Sequence, residues 1–194
     1  MSNRNGQAFG LTVLSPILSG TADGKSHAAA IRQILTTFPA DGFARVPKTH
    51  VARWVVIDDV PFEEAPALED HLAVPYLLFT SDFDGDLDPY LIQLSTAMSE
   101  PFTAIYQHCV GFPGTADVEA FIHYMKRCQV NTTFNFGAYP NASVEDVLRA
   151  VASQRAFVEF VDAHQHASAV DLQSAFREFL DRIERTPLPR LGSA

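Results

Sequence analysis

The stretch that decides the fold is Thr49–Ile57, which reads THVARWVVI. It is rich in β-branched and aromatic residues and holds neither Gly nor Pro, a pattern typical of a β-strand. Three further segments are predicted as strands: residues 10–17 (GLTVLSPI), 75–81 (PYLLFTS) and 131–137 (NTTFNFG). Apolar residues at helical spacing lie between and after these segments, so the chain predicts strands backed by helices.

Helix start signals support this division. Ser26 is the predicted N-cap of the first helix, and Asp88 is the predicted N-cap of the second, with Pro89 at its first helical position. Ser143 and Asp146 have the spacing of a capping box at the start of a long helix.

The long helix is expected to reach about residue 163, and a last helix is expected over residues 169–183. The element order predicts an α+β fold of the ferredoxin-like kind, βαββαβ, with a four-stranded antiparallel sheet. Extra helices are predicted after the third strand and at the C-terminus.

Length and composition limit the possible classes of protein. The 194 residues, 47% of them hydrophobic, are expected to form one domain with a core over residues 10–163. A C-terminal helical extension (164–185) and a loose tail (186–194) follow. The net charge of -9 comes without any cluster of Lys and Arg, which argues against a nucleic-acid partner.

Two further observations concern the location of the protein in the cell. No apolar run approaches the roughly 20 residues that a membrane-spanning helix needs, so no membrane partner is expected. Two cysteines and the lack of a signal-peptide pattern predict a cytoplasmic protein.

Alternation along the strands predicts a ligand pocket on the sheet, because successive side chains point to opposite faces. The face toward the helices should be the more aliphatic one and should also carry Arg53, which would then need a carboxylate partner. Its expected apolar members are Val51, Val55, Leu77, Phe79, Phe134 and Phe136. The open face should mix aromatic with hydrogen-bonding groups, as binding pockets do. Its expected members are His50, Trp54, Tyr76, Thr80, Asn131, Thr133 and Asn135.

On this face His50 is the candidate acid, base or ligand, and Tyr76 is a second catalytic candidate through its phenol. The remaining members, Trp54, Thr80, Asn131, Thr133 and Asn135, are the candidate ligand-binding residues. Two alternatives remain open. In one, His50 is a hydrogen-bonded histidine beside a core tryptophan; in the other, the C-terminal helices or a second subunit cover this face.

Metal-ligand patterns are weak. The carboxylates of residues 82–88 (DFDGDLD) are better explained by a turn and a helix start than by calcium, because the Gly is misplaced for an EF-hand. His108, Cys109, His123 and Cys128 lack the paired spacing of a zinc site, so no metal site is predicted. Haem ligation by His108 or His123 is left open, and no cofactor is favoured.

Three segments resemble a widespread group of microbial proteins: residues 50–54 (HVARW), 81–85 (SDFDG) and 108–113 (HCVGFP). That group repeats an HFARW-like strand, an SNFDG-like turn and an HCxGYP-like helix end, and has no firmly assigned activity. The resemblance covers roughly residues 45–160.

The predicted fold resembles the dimeric α+β barrel superfamily, which includes cofactor-free monooxygenases and dye-decolorizing peroxidases. The resemblance implies an active site on the open sheet face and a homodimer. The SDFDG segment departs from the GxxDG turn of the peroxidases at its first Gly. Asp84 therefore takes no catalytic role from the resemblance and stays, with Arg53 and His108, a structural or possible site residue.

The leading functional hypothesis is a small-molecule enzyme of oxidoreductase or oxygenase type that binds an apolar or aromatic ligand on the open face. Motifs for nucleotide binding, serine hydrolysis and zinc proteolysis are absent from the sequence. One alternative is a non-catalytic ligand-binding or dimeric assembly module. The other is a haem-dependent relative of the peroxidases.

Overall fold

The computed structural model describes residues 3–61 and 70–183, together with residues 185, 187 and 188. The loose tail expected over residues 186–194 lies almost wholly outside the described residues. The elements in chain order are β1 (Arg4–Asn5), β2 (Ala8–Pro16), β3 (Thr21–Ala22), β4 (Lys25–Ser26), α1 (His27–Thr36), a short 3-10 helix (Gly42–Arg45), β5 (Thr49–Ile57), β6 (Tyr76–Asp84), α2 (Leu87–Ala97), α3 (Ser99–Tyr106), α4 (Val118–Arg127), α5 (Val144–Ala163) and α6 (Ala169–Ile183).

The fold is α+β, with a four-stranded antiparallel sheet in the order β1-β2-β6-β5. Because β6 is antiparallel to both β2 and β5, those two strands run in the same direction on either side of it. The small β3–β4 hairpin lies between β2 and α1 in the chain. No helix among the described residues is long and apolar enough to cross a bilayer.

The hydrophobic core lies on one face of this sheet, where helices α1 to α4 cover it. Aromatic rings dominate it: Trp54 lies 5.1 Å from Phe79 and 5.6 Å from Phe102, measured between ring centroids. Such aromatic pairs add to the free energy gained from the apolar area they bury. The fifteen Phe residues of the sequence thus account for much of the core.

The predicted fourth strand, residues 131–137, is wrong. This segment has no regular secondary structure, and Phe134 and Phe136 are 82% and 75% exposed. The outer edge of β2 is instead paired with β1 and with the bridge between Val13 and Gln129. Since β1 occupies the edge beyond that bridge, residues 131–137 have no backbone partners left there.

The predicted face assignment of β5 is also wrong. Thr49 pairs with Phe83 but Val51 pairs with Asp82, so His50 is an extra residue in a β-bulge. A bulge shifts the alternation of side chains by one position. Trp54 therefore packs in the helix-side core, and Val51, Arg53 and Val55 lie on the open face, where they are exposed.

The helix start signals are mostly confirmed. The Ser26 side chain accepts a hydrogen bond from the backbone N–H of Ala29, and the capping box of Ser143 and Asp146 is present. The Asp88 prediction is wrong, because α2 begins two residues after Gly85 at Leu87, with Asp86 as N-cap. Asp88 lies in the first turn instead, where its carboxylate is 2.5 Å from Lys126 Nζ.

The two C-terminal helices α5 and α6 pack on each other through phenylalanine rings. The closest of these pairs is Phe160 with Phe179, at 4.9 Å between centroids. The first turn of α5 is tied to the end of β6, because the Val144 N–H donates to Asp84 Oδ2 at 2.8 Å. This contact brings α5 to the open face of the sheet.

Candidate functional site

A recess of about 260 Å³ opens beside the end of β6, on the open side of the sheet. Its walls come from β2, the β5 bulge, β6, the loop before α5 and the first turns of α5. Its lining residues include His50, Val51, Asp82, Asn135, Tyr139 and Val147. Engineered apolar cavities of about 150 Å³ hold benzene, so this recess has room for a ligand of one or two rings.

A histidine–carboxylate pair stands at this recess. His50 Nε2 lies 2.8 Å from Asp84 Oδ1, and the two side chains are only 23% and 12% exposed. The second carboxylate oxygen, Oδ2, accepts the backbone N–H of Val144 at the start of α5. The Asp84 carboxylate is therefore held at both oxygens, and it fixes the orientation of the His50 ring.

The bulge in β5 is what makes this pair possible. In a regular strand His50 and Val51 would point to opposite faces. The bulge instead lets both His50 and Val51 line the recess on the open side. Thr49 stays on the core side, where its hydroxyl lies 3.2 Å from the Tyr90 hydroxyl. His50 then reaches Asp84, which lies on the opposite side of β6 from buried Phe83.

Asp82 supplies a second carboxyl group to the recess. Burial of this carboxyl raises the pKa of Asp82, although the charges of His50 and Arg53 oppose the shift and the residue as a whole is exposed. A Cβ on Gly10 would lie 2.9 Å from Asn135 Nδ2 and 3.2 Å from Asp82 Oδ1. Glycine at position 10 thus leaves the space in which these two polar groups approach β2.

The loop that forms the outer wall is held by the N-terminal residues. The Asn135 side chain donates to the Asn3 carbonyl at 3.2 Å, and the Asn5 side chain donates to the Asn135 carbonyl at 3.2 Å. The Gln7 N–H donates to the Pro140 carbonyl at 2.7 Å. The wall is therefore built by contacts across more than 125 residues of sequence.

Apolar side chains surround the polar groups. Val51 is 58% exposed, Phe136 75%, Tyr139 80% and Val147 44%, and all four line the recess. Exposed apolar groups gathered around a few polar ones are typical of small-molecule sites.

The structure does not bring all the predicted open-face residues to His50. Tyr76 is on the open side of β6, but it lies eight residues from Asp84, about 26 Å along the strand. Thr80 lies halfway, and its hydroxyl accepts a hydrogen bond from Arg53 Nε at 3.0 Å. Arg53 thus has a hydroxyl partner on the open face, and the expected carboxylate partner on the helix side is wrong.

The remaining predicted residues also divide into those that line the recess and those that lie away from it. Asn135 lines the recess, whereas Asn131 and Thr133 are exposed and lie outside it. Trp54 lies on the opposite side of the sheet, so its predicted role as a wall of the open face is wrong. Sequence reasoning missed Asp82, Phe136 and Tyr139, because the bulge and the irregular loop that place them leave no periodic signal.

His108 lies elsewhere, at the far end of β2, with its Nδ1 atom 2.9 Å from Nδ1 of His27. The cavity beside it is lined by polar residues such as Lys25, Gln33 and Gln107. A porphyrin needs apolar walls, so these residues do not fit a haem at His108.

The other candidate metal-ligating residues do not form a cluster either. The described residues contain no group of three His, Cys, Asp or Glu side chains arranged to hold a metal. Cys109 is 3% exposed, and burial raises its thiol pKa to about 12, so the thiolate that metals bind is disfavoured there.

The geometry at the recess suits proton transfer. A histidine whose Nε2 faces a fixed carboxylate carries its proton there, which leaves Nδ1 as the basic atom. Asp82, whose pKa is raised by burial, places a second carboxyl group in the same recess as this base. Both groups line one recess of a size that fits a small ring system.

Comparison with protein-family models, with curated proteins and with solved structures gives no match to this chain.

Proposed function

We propose that the protein is a small-molecule enzyme of oxidoreductase or oxygenase type whose ligand binds in the recess on the open face. His50 would be the catalytic base, with Asp84 as the positioning residue and Asp82 as a second carboxyl group in the recess. The observation that carries the proposal is the pair His50–Asp84 at 2.8 Å, held by the Val144 N–H at the mouth of an apolar-walled recess.

The ligand chemistry follows from the walls and the polar groups. The exposed apolar groups of Val51, Phe136, Tyr139 and Val147 favour an aromatic ligand. A base beside them favours a ligand with an acidic O–H or C–H, such as a phenol or hydroquinone. Deprotonation makes such a ring electron-rich and easier to oxidise, which is the step that an oxygenase without a cofactor needs. The choice of oxidative chemistry rests on the resemblance of the predicted fold to the dimeric α+β barrel superfamily, which includes cofactor-free monooxygenases.

Oxygen consumption with a panel of phenols, naphthols and hydroquinones tests this proposal. The comparison is between the wild type, His50→Gln and Asp84→Asn, with His123→Gln as a control at an exposed histidine on α4. Loss of a general base should lower kcat by about 100-fold or more. Unchanged turnover in folded His50→Gln protein would refute the assignment of the base. Ligand binding without turnover in the wild type would favour the non-catalytic binding module.

The overall arrangement supports a relationship to the ferredoxin-like unit. The three long strands have the order β2-β6-β5, with α1 connecting the two that run in the same direction. We propose that this is a ferredoxin-like unit in which short pieces of chain replace the usual last strand. Free thiols at Cys109 and Cys128 are consistent with the proposed cytoplasmic location.

A homodimeric assembly module is the second candidate. It is favoured by exposed valines on two elements of the open side, Val51 and Val55 on β5 and Val147 and Val151 on α5. A second copy that covered them would remove this apolar surface from water. Sedimentation velocity of the wild type and of a Val55→Lys, Val151→Lys variant tests this: a dimer that becomes a monomer supports the interface, and a monomeric wild type contradicts it.

A further inference from the structure

A second cavity, with a volume of about 620 Å³, lies away from the recess. It is an open cavity bordered by α1, the β3–β4 hairpin and the residues that follow α3. His108 is placed by backbone pairing, because its carbonyl accepts the Leu18 N–H at 2.9 Å just beyond β2. Ala8, at the other end of β2, lines the recess, so the two sites are at opposite ends of one strand.

Two histidines meet in this cavity. His27 is the first residue of α1, and its Nδ1 atom lies 2.9 Å from Nδ1 of His108. Both residues are half-buried, and the ring planes are inclined at 58°. Two unprotonated nitrogens at this distance repel each other through their lone pairs. The contact therefore requires a proton or a cation between the rings.

The geometry fits a metal ion with ligands at right angles. With metal–nitrogen bonds of about 2.0–2.1 Å, two nitrogens 2.9 Å apart subtend an angle of about 90° at the metal. That angle belongs to square-planar and octahedral centres. A tetrahedral zinc centre would need the nitrogens about 3.3–3.4 Å apart.

We propose that His27 and His108 form a binding site for a divalent transition-metal ion of tetragonal preference, with Cu²⁺ bound more tightly than Ni²⁺ or Zn²⁺. Imidazole nitrogens suit all three ions, and the general order of affinity among divalent metals also places copper first.

The charged side chains around the two histidines balance. Lys25 and Asp23 both line the cavity, so their charges offset each other, and the Lys25 ammonium is bonded to Gln33 at 2.7 Å.

Two protein ligands leave coordination positions for others. Since no third His, Cys, Asp or Glu completes a group in the described part of the chain, water or a small molecule would occupy those positions. The cavity provides the volume for them. The site would hold its metal reversibly, with an exchangeable face toward the cavity.

Copper titration of the untagged full chain, followed by electron paramagnetic resonance, tests the proposal. We expect one Cu²⁺ per chain with hyperfine coupling to two nitrogens, and at least tenfold weaker binding in His27→Ala and in His108→Ala. His123→Ala, at an exposed histidine outside the cavity, should bind copper as the wild type does. Calorimetry should show Zn²⁺ binding at least tenfold weaker than Cu²⁺.

A second measurement does not depend on the folding of the variants. One equivalent of Zn²⁺ added to the wild type should shift the imidazole NMR signals of two histidines and leave the His50 signals in place. The proposal is overturned if either alanine variant keeps wild-type copper affinity, if Zn²⁺ binds more tightly than Cu²⁺, or if the shifted histidines are not His27 and His108.

Discussion

His50 and Asp84 form a hydrogen-bonded pair across a bulge in the sheet, with 2.8 Å between His50 Nε2 and Asp84 Oδ1. The other oxygen of Asp84 accepts the first N–H of α5. One carboxylate thus orients the candidate base and also fixes the helix that contributes Val147 to the recess.

Replacing Asp84 by Asn should destabilise the protein by about 1–3 kcal/mol, because two hydrogen bonds to a largely buried charge are weakened. Urea unfolding followed by circular dichroism measures this. Asp88→Asn is the matched control, since its carboxylate is 55% exposed in an ion pair with Lys126, and it should cost less than about 1 kcal/mol. Equal costs at the two positions would show that the Asp84 contacts do not stabilise the fold.

Trp54→Ala should cost about 3–5 kcal/mol, the range for large aromatic side chains removed from a core. The control substitution Phe134→Ala removes a side chain that is 82% exposed, and it should change the free energy of unfolding by less than about 0.5 kcal/mol. Chemical denaturation of both variants measures the two changes in the free energy of unfolding. A small cost for Trp54→Ala would place this ring outside the core.

The stability contribution of Asp82 should depend on pH. Its pKa is raised in the folded state, so the folded protein binds this proton more tightly than the unfolded chain does. The ionised group therefore destabilises the fold above its raised pKa, and the effect disappears as the pH falls below the unfolded value of about 3.9.

Asp82→Asn should accordingly be more stable than the wild type at pH 7, by a few tenths of a kcal/mol because the group is partly exposed, and equal to it at low pH. Thermal unfolding between pH 3.5 and 7.5 measures the difference. Asp181→Asn, on the exposed side of α6, should show no such trend. A variant less stable than the wild type at pH 7 would contradict the raised pKa.

Gly6→Ala should destabilise the protein by more than Gly20→Ala. Both glycines have positive φ, at 61° and 91°, which costs an alanine about 1–2 kcal/mol. Only at Gly6 would the new Cβ collide with backbone, 1.9 Å from the Pro140 carbonyl oxygen, whereas nothing lies within 4 Å at Gly20.

Hydrogen exchange adds a local measurement, because Gly6→Ala should increase exchange in residues 131–142, the wall of the recess. The Gln7–Pro140 contact would be shown not to hold the wall if exchange there is unaltered and if Gly6→Ala and Gly20→Ala lose the same free energy of unfolding.

The local elements could be predicted from the sequence because their signals are local. Ser26 and Ser143 marked helix starts correctly, since a capping side chain bonds within its own first turn. The strand at Thr49–Ile57 and the last helix at Ala169–Ile183 also lie where side-chain type and periodicity predict them. His50 and Asn135 were identified as site candidates by residue type.

Tertiary structure alone decided which way the side chains of β5 point. One extra residue at the bulge moves Trp54 into the core and brings His50 to Asp84, and no periodic pattern marks that residue. It also decided that β1 takes the edge of β2 and leaves residues 131–137 as the wall of a recess. Strand order and bulges depend on contacts between residues far apart in the chain, and alternation within a single strand carries no information about them.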